Sequence, residues 1–414
     1  MRTSKHTRLA LLAGVATAAL MQPAMALDAQ AFIDRLTDVY GQVGYDFTFG
    51  PATLDGDTVT VDGVTVSFTN VPEVSEPMTF DTELTFTGVT ELPDGGYTAQ
   101  SLVIPDIDTE FSADPVGHIT LSDILIEDPY VPGGDTVSAQ AMFQLVGTMS
   151  TGALNLTRNG ADFLRIDSMH AGSTFAPEQG TEALTDLTST LDINGLWLDL
   201  SSVGEEDAEA GAIIEGLGLT TITGDITQSL SWSMADGHMV VDEFLFDFDD
   251  LGALNIVADV TGLTPAMLDK LYAMQAQAMN SDPASSEAQA AQMMAGMEML
   301  QGISLVGASV RYDDASLAGR LLDMFAEQQG IERAQFVEGL KAMLPAMLAG
   351  TGVPALNDLV VPPVSAFLDD PQSLEIKLQP ASPTTLLVLT AAASNPARLI
   401  SALGLAITAN TAAE

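Results

Sequence analysis

Residues 222–260 read ITGDITQSLSWSMADGHMVVDEFLFDFDDLGALNIVADV, and they carry the clearest structural pattern of the chain. Three runs in this stretch alternate apolar with polar residues, as strands with one buried face do. Asp236-Gly237 lies between the first two runs and Asp250-Leu251-Gly252 between the last two, and both are typical turn sequences. The stretch therefore predicts an antiparallel meander of long strands.

The same alternation recurs upstream of the meander. It runs through residues 59–68, 78–86, 119–126 and 154–166. Asp62-Gly63 divides the first of these runs and Asn159-Gly160 divides the last, and both dipeptides are hairpin signals. We therefore expect residues 45–262 to be almost purely β.

Helical periodicity appears on both sides of this β-rich stretch. Phe32, Leu36 and Tyr40 are four residues apart and predict a short helix with one apolar stripe. At Thr264-Pro265 the pattern changes, because threonine as N-cap followed by proline is a favourable helix start. Further helices are predicted over residues 286–300, 317–330 and 336–347 and from Pro396, and further strands over residues 304–310, 374–378, 386–389 and 405–407.

Together these patterns predict an α+β fold. Its main part is an extended, twisted antiparallel β-sheet, curved or groove-like in form, and a C-terminal helical segment packs on this sheet. The predicted divisions are a signal peptide over residues 1–26, a β-rich domain with a short N-terminal helix over 27–262, a helical segment over 263–370, and mixed strands and helix completing the sheet over 371–414.

The N-terminal residues have the pattern of a secretory signal peptide. Arg2, Lys5 and Arg8 form a basic start, residues 9–20 are an apolar run, and Ala24-Met25-Ala26 has the small-x-small spacing of a cleavage site. Cleavage is expected before Leu27. The sequence thus predicts a periplasmic or secreted protein.

The composition excludes several classes of function. The net charge of −43 repels phosphate backbones, so nucleic-acid binding is not expected. The chain has no cysteine, which excludes thiolate metal sites and thiol chemistry. The longest apolar run after the signal peptide, residues 386–393, is too short to span a bilayer, so we do not expect an integral membrane protein.

No catalytic motif is present in the sequence. His118, His170 and His238 are about 50 or more residues apart, and no zinc-protease, nucleophile-elbow, phosphate-loop or dinucleotide motif occurs. We therefore predict no catalytic residues, although a hydrolase with dispersed residues is a third hypothesis for the function.

Two groups of carboxylates are candidate metal ligands. Asp106, Asp108 and Glu110 share one face of a predicted strand, and Asp247 and Asp249 share one face of another. Same-face residues of a strand are about 6.6 Å apart, so Ca²⁺ would need further oxygen ligands from a neighbouring loop. The alternative is a solvated polar face opposite an apolar one. No other cofactor is predicted.

The methionine-rich helical segment is the candidate ligand-binding surface. Its residues are Met267, Leu271, Met274, Met293, Met294 and Met297. Methionine side chains at helical spacing provide adaptable contacts for an apolar ligand such as lipid. One alternative is ordinary core packing. Another is Cu(I) binding by the thioethers, which the absence of a neighbouring histidine or cysteine disfavours.

The layout resembles a group of uncharacterised exported bacterial envelope proteins with domains of unknown function. The resemblance rests on the signal peptide, the following helix, residues 56–64 (GDTVTVDGV) and the long strands with Asp-Gly turns. The meander is also similar to sheets of elongated envelope proteins that shield lipid in a β-groove. Together with the residue patterns, the sequence predicts an exported, acidic, non-enzymatic protein that binds an apolar or amphipathic ligand such as lipid. The alternative is a structural or assembly factor that contacts other envelope proteins.

Overall fold

The computed structural model describes residues 27–42, 45–68, 78–113, 115–134, 137–142, 144–176, 184–280, 293 and 296–412. The predicted signal peptide lies outside these residues. In the first half of the chain the strands are β1 (Tyr45–Phe49), β2 (Ala52–Asp55), β3 (Thr58–Phe68), β4 (Met78–Thr87), β5 (Thr90–Glu91), β6 (Tyr97–Thr98), β7 (Ser101–Ile104), β8 (Ile107–Ala113), β9 (Val116–Leu121), β10 (Ile124–Glu127), β11 (Tyr130–Val131), β12 (Thr148–Thr151), β13 (Leu154–Arg158), β14 (Ala161–Ile166), β15 (Ser168–Ala176) and β16 (Asp186–Asp199).

The second half contains fewer strands and most of the helices. Its strands are β17 (Thr221–Ser233), β18 (His238–Phe248), β19 (Gly252–Thr261), β20 (Ser304–Asp314), β21 (Ser373–Leu378), β22 (Thr384–Thr385) and β23 (Leu405–Ala409). The helices are α1 (Ala29–Gln42), α2 (Ala139–Met142), α3 (Val203–Glu206), α4 (Ala208–Leu217), α5 (Pro265–Asn280), α6 (Leu317–Gln328), α7 (Arg333–Ala349), α8 (Ala355–Asp369), α9 (Leu386–Ala392) and α10 (Pro396–Leu403). Residues 296–302 are also helical.

Within the described residues, a single antiparallel sheet of 20 strands forms the body of the protein. Its main path runs from β1 and β2 through β3, β4, β7, β10, β12 and β15 to β16, and on through β17, β18, β19, β20 and β21 to β23. A branch of β8, β9, β13 and β14 rejoins this path at β16. The small strands β5, β6 and β11 form a second sheet. The predicted α+β class and the extended antiparallel sheet are confirmed.

Two of the predicted turns are also confirmed, one in the meander and one upstream of it. Asp250 has φ 57° and Gly252 has φ 142° between β18 and β19, and Asn159 and Gly160 have φ 51° and 80° between β13 and β14. Glycine, asparagine and aspartate reach positive φ more readily than other residues do. These positions therefore form tight connections between neighbouring strands.

Asp62-Gly63 is not a hairpin turn, contrary to the prediction. Both residues lie inside the continuous strand β3, where the register with β4 shifts between Asp62 and Val64. Gly63 has φ 88°, and its carbonyl oxygen accepts a hydrogen bond of 2.9 Å from the Gly50 amide. The dipeptide forms a β-bulge, which uses the same positive φ that a hairpin turn uses.

The prediction that residues 45–262 are almost purely β is wrong at α4 and at the two short helices α2 and α3. Asp207 caps α4 by accepting hydrogen bonds of 3.0 Å from the amides of Glu209 and Ala210. Gly218, with φ 68°, ends the helix. The N-cap and the terminal glycine are local signals that favour a helix between these two long strands.

The strand predicted over residues 386–389 is also wrong, because these residues form α9. Thr385 Oγ1 accepts a hydrogen bond of 3.3 Å from the Val388 amide and so acts as the N-cap. Pairing with β20 stops at Thr384 and Thr385. A short apolar run does not distinguish a strand from a helix, and the cap determines the outcome here. The sequence patterns also gave no sign of α8, which contains Pro362 and Pro363.

Among the described residues, apolar side chains are buried in three separate clusters. The first packs α1 against β3 and β4, with Phe32, Val39, Val59 and Val61 at most 1% exposed. The second surrounds Trp232, whose indole Nε1 donates a hydrogen bond of 2.8 Å to the Leu263 carbonyl. The third joins α6 and α7 through Leu322, Ala326, Phe336 and Val337. Because most apolar side chains of the meander outside these clusters are only half-buried, much of the sheet is thinly covered.

No helix in the part of the chain that the structure describes is both long enough and apolar enough to cross a bilayer.

Candidate ligand-binding face and cavity

One face of the main sheet carries mainly apolar side chains. Residues opposite each other in antiparallel strands point to the same face, so register partners trace that face across the sheet. From β12 to β23 the partners are Thr151, Met169, Ile193, Ile226, Phe246, Leu254, Tyr312, Leu374 and Ala409. From β3 to β18 they are Val59, Phe86, Leu102, Ile126, Met149, Ala171, Leu191, Gln228 and Phe244. We call this surface the apolar face.

The opposite side, here called the polar face, has mainly hydrophilic side chains. Along β17 these are Thr223, Asp225, Thr227, Ser229 and Ser231. The two faces stay separate because β18 has a bulge, where Glu243 lies opposite Ser229 and Val241 lies opposite Leu230. The extra residue, Asp242, places Val241 and Phe244 on the same face although they are three residues apart.

The apolar face is partly open to solvent. Val310 on β20 and Ile376 on β21 lie opposite each other and are 43% and 42% exposed. Phe244 and Phe246, with ring centroids 4.6 Å apart, are half-buried. Exposed and connected apolar side chains of this kind are typical of binding surfaces.

Helices adjoin both ends of the meander strands. At one end, Leu268 of α5 packs on the Trp232 cluster. At the other end, the ring of Phe367 on α8 lies edge-on to Tyr312, with centroids 6.5 Å apart. The Tyr312 hydroxyl donates to Asp314 Oδ1 at 2.7 Å, and burial together with this hydrogen bond raises its pKa. Tyr312 therefore stays neutral.

A cavity of about 330 Å³ lies beneath α1, and we call it the α1 cavity. Phe32, Leu36 and Tyr40 of α1 line one side. The other side includes Phe86, Leu102 and Ile126, which belong to the apolar face. The remaining lining side chains among the described residues are apolar except that of Thr82. This volume lies at the lower end of the range for small-molecule sites.

The structure places α5, the first helix of the predicted methionine-rich surface, beside the Trp232 cluster at one end of the meander strands. Met267, Leu271 and Met274 are half-buried on α5, whereas Met293 and Met297 are 73% and 45% exposed. Met294 lies outside the described residues. The residue through which α5 packs on the Trp232 cluster is Leu268, which is not among the predicted binding residues.

The first group of candidate metal ligands has local partners. Asp106 Oδ1 accepts a hydrogen bond of 3.0 Å from the Asp123 amide, and Asp108 Oδ1 lies 2.8 Å from His118 Nε2. Glu110 is exposed. In the described part of the chain, no three histidine, aspartate or glutamate side chains are grouped in an arrangement that could hold a metal ion. The suggestion of Ca²⁺ binding stays a prediction.

The second group lies on the polar face. Asp247 is opposite Asp225, and Asp249 lines a polar cleft of about 430 Å³. The cleft also contains Arg165, whose guanidinium carbon lies 4.0 Å from the centroid of the Trp197 ring. This cleft is on the side of the sheet opposite the apolar face.

His118, His170 and His238 lie on three different strand pairs. His238 Nε2 is 2.7 Å from Asp259 Oδ1 across β18 and β19, and His118 pairs with Asp108 across β8 and β9. His170 is exposed on β15, opposite Asp192. The structure does not bring these imidazoles together.

The sequence patterns do not predict the α1 cavity. They indicate an apolar stripe of Phe32, Leu36 and Tyr40 and a strand over residues 78–86, and these two segments form two walls of the cavity. The spacing between α1 and the sheet depends on contacts between distant residues, such as Arg35 Nε donating to the Pro132 carbonyl at 2.6 Å. A periodic pattern does not reveal such a spacing.

The fold and the site define an open antiparallel β-sheet protein with one apolar face and an adjoining apolar cavity. A family model described as "Uncharacterized protein" matches residues 245–410, which extend from the middle of β18 to the end of β23. No curated protein matches the chain. The family match agrees with the predicted resemblance at the level of an uncharacterised protein family.

Proposed function

We propose that this protein is an exported, non-enzymatic binding protein whose apolar face holds the acyl chain of a lipid. One observation carries the proposal: the apolar face continues across the main sheet from β3 to β23 and is partly exposed along the meander. Burial of apolar surface contributes about 25 cal/mol per Å². A long hydrocarbon chain on this face would bury side chains of several strands at once.

The net charge of the protein limits which lipid head groups it can bind. A net charge of −43 disfavours anionic lipids, so the proposed ligand has a neutral or zwitterionic head group. Tyr312 and the neighbouring aromatic residues of the apolar face carry no charge that would bind an anionic group. Lysophosphatidylcholine, with one acyl chain and no net charge, is therefore a suitable probe.

Export to the periplasm or beyond is part of the same proposal. Arg2, Lys5 and Arg8 before an apolar run support it, as does the likeness to exported envelope proteins. An acyl-chain carrier in that compartment would need a sheltered apolar surface because the surrounding medium is aqueous.

A pair of adjacent substitutions tests the use of the apolar face. Val310→Asp adds a charge to this face at a position that is already 43% exposed, so the fold should tolerate it. We expect the fraction of protein bound to lysophosphatidylcholine in native mass spectra to fall about ten-fold or more, because a bound chain would desolvate the new carboxylate.

The matched control is Ser309→Asp, which adds the same charge on the polar face, opposite Lys377. Binding by this variant should equal that of the unmodified protein. Equal binding by both variants, or no lipid adduct on the unmodified protein, would contradict the proposal. Circular dichroism spectra establish that both variants are folded.

An envelope assembly factor is the second candidate function. Met343 and Met347 on α7 are 57% and 67% exposed, and Phe325 on α6 is 43% exposed, so these helices also present apolar side chains. Crosslinking in cells, followed by purification, tests for a protein partner. Loss of a specific crosslinked species in Met343→Asp and Met347→Asp would support this alternative.

A further inference from the structure

We propose that the α1 cavity is the closed end of the lipid-binding face and takes the methyl end of a single acyl chain. The inference rests on the proposed function and specifies how the ligand is oriented. Four properties of the cavity support it: its shared wall with the apolar face, its closure by aromatic side chains, its chemistry and its size.

The cavity and the apolar face share side chains. Phe86, Leu102 and Ile126 are register partners on β4, β7 and β10, and the same three residues line the cavity. The next partner of Ile126 is Met149 on β12, from which the apolar face continues toward the meander. A chain lying along the apolar face toward β3 therefore leads into the cavity.

Aromatic side chains close the cavity on the side of α1 and β1. The ring of Phe32 lies edge-on to Phe86 and to Tyr97, at centroid distances of 5.0 and 5.2 Å. Tyr40 meets Phe47 in the same way at 5.2 Å. These contacts hold α1 over the sheet and end the cavity there.

The chemistry of the lining selects which end of a lipid enters. No charged side chain is among the described residues that line the cavity, and Thr82 and Tyr40 provide its only side-chain hydroxyls. A zwitterionic or charged head group would lose its hydration without gaining partners there. The methyl end of a hydrocarbon chain loses no hydrogen bond on entry.

The size of the cavity fits one chain end. Its volume of about 330 Å³ is about twice the ~150 Å³ of an apolar cavity that stays dry and binds benzene. A cavity twice as large as one that holds a six-carbon ring has room for roughly a dozen carbon atoms. One chain therefore enters, and its remaining carbons and its head group lie outside, toward the apolar face.

Two photoreactive forms of lysophosphatidylcholine test this orientation. One carries a diazirine next to the methyl end of its acyl chain, and the other carries it next to the ester. After irradiation and digestion, we expect the methyl-end probe to label peptides of α1 or β4. The ester-end probe should instead label strands of the apolar face outside the cavity.

A cavity-filling substitution provides the second readout. Ala99 lines the cavity and is 6% exposed, so Ala99→Leu places additional atoms inside it. Labelling of α1 and β4 by the methyl-end probe should fall at least five-fold. Thr82→Leu fills the same space from a half-buried position and serves if Ala99→Leu does not fold. The matched control is Ala406→Leu, which adds the same atoms at an exposed position on the polar face of β23, opposite Lys377, and should leave this labelling unchanged.

The outcomes separate the two proposals. Methyl-end labelling of α1 or β4 that the cavity-filling variants remove supports the inference. Labelling by both probes on β18 to β21 alone would overturn the inference and leave the proposed function intact. Labelling that Ala99→Leu and Thr82→Leu leave unchanged would also overturn the inference. An absence of specific labelling by either probe would overturn both.

Discussion

Replacement of Phe32 by alanine is expected to lower the free energy of unfolding by about 3–5 kcal/mol. Phe32 is 1% exposed and its ring contacts Phe86 and Tyr97, so truncation removes buried apolar surface and enlarges an existing cavity. Because the neighbouring aromatic rings are held by α1 and the sheet, they cannot move far enough to fill the space. Urea denaturation followed by circular dichroism measures the change.

Phe111→Ala is the matched control for Phe32→Ala. Phe111 is 50% exposed on β8, so the same truncation there should cost about 1 kcal/mol or less. Equal losses for the two variants would mean that α1 does not pack on the sheet as described. Such a result would also remove one wall of the α1 cavity.

Replacement of Gly50 by alanine is expected to lower the free energy of unfolding by at least about 2 kcal/mol. A Cβ atom at Gly50 would lie 1.7 Å from the Asp62 carbonyl oxygen, which belongs to the backbone of β3. The connection between β1 and β2 would have to separate from the bulge in β3, and the hydrogen bond from the Gly50 amide to Gly63 would weaken. Thermal or urea unfolding measures this loss.

Gly41→Ala is the control for Gly50→Ala, and we expect it to raise the free energy of unfolding instead of lowering it. Gly41 lies in α1, and a Cβ atom there would meet nothing within 4 Å. Because alanine favours helix more than glycine does, the variant should be more stable by about 0.5–1 kcal/mol. A Gly50→Ala protein as stable as the unmodified one would show that the close approach between β1–β2 and β3 is absent.

The strands of the meander could be predicted because their signals are local. Alternation and the turn residues at Asp236-Gly237 and Asp250-Leu251-Gly252 depend only on neighbours in sequence. The wrong predictions at Asp62-Gly63 and at residues 386–389 also arise from local signals, because one local signal can fit two structures. A positive φ such as that of Gly63 serves a bulge as well as a turn, and the short apolar run of residues 386–389 is compatible with the helix that Thr385 caps.

The candidate site was less predictable because it depends on pairing across the sheet. Ile193, Ile226 and Phe246 lie on one line only after the register of three strands is known. The methionine-rich helices were visible as a composition bias, but their position relative to the sheet follows from Leu268 and its contacts. The empty space beneath α1 is a property of packing between residues up to about 97 positions apart, such as Arg35 and Pro132.

The bulge at Asp242 keeps the apolar residues of β18 on one face although their spacing changes there from two residues to three. With the extra residue in place, Phe244, Phe246 and Phe248 share a side with Val241. Deletion of Asp242 would leave Val241 and Phe244 as alternate residues of a regular strand, so all three phenylalanines would keep their side. Deletion of one residue between Phe244 and Phe248 would instead turn the residues beyond it to the opposite side. The bulge is therefore the position at which β18 can lose one residue without exchanging its two faces, and length variation in this strand is expected to be concentrated there.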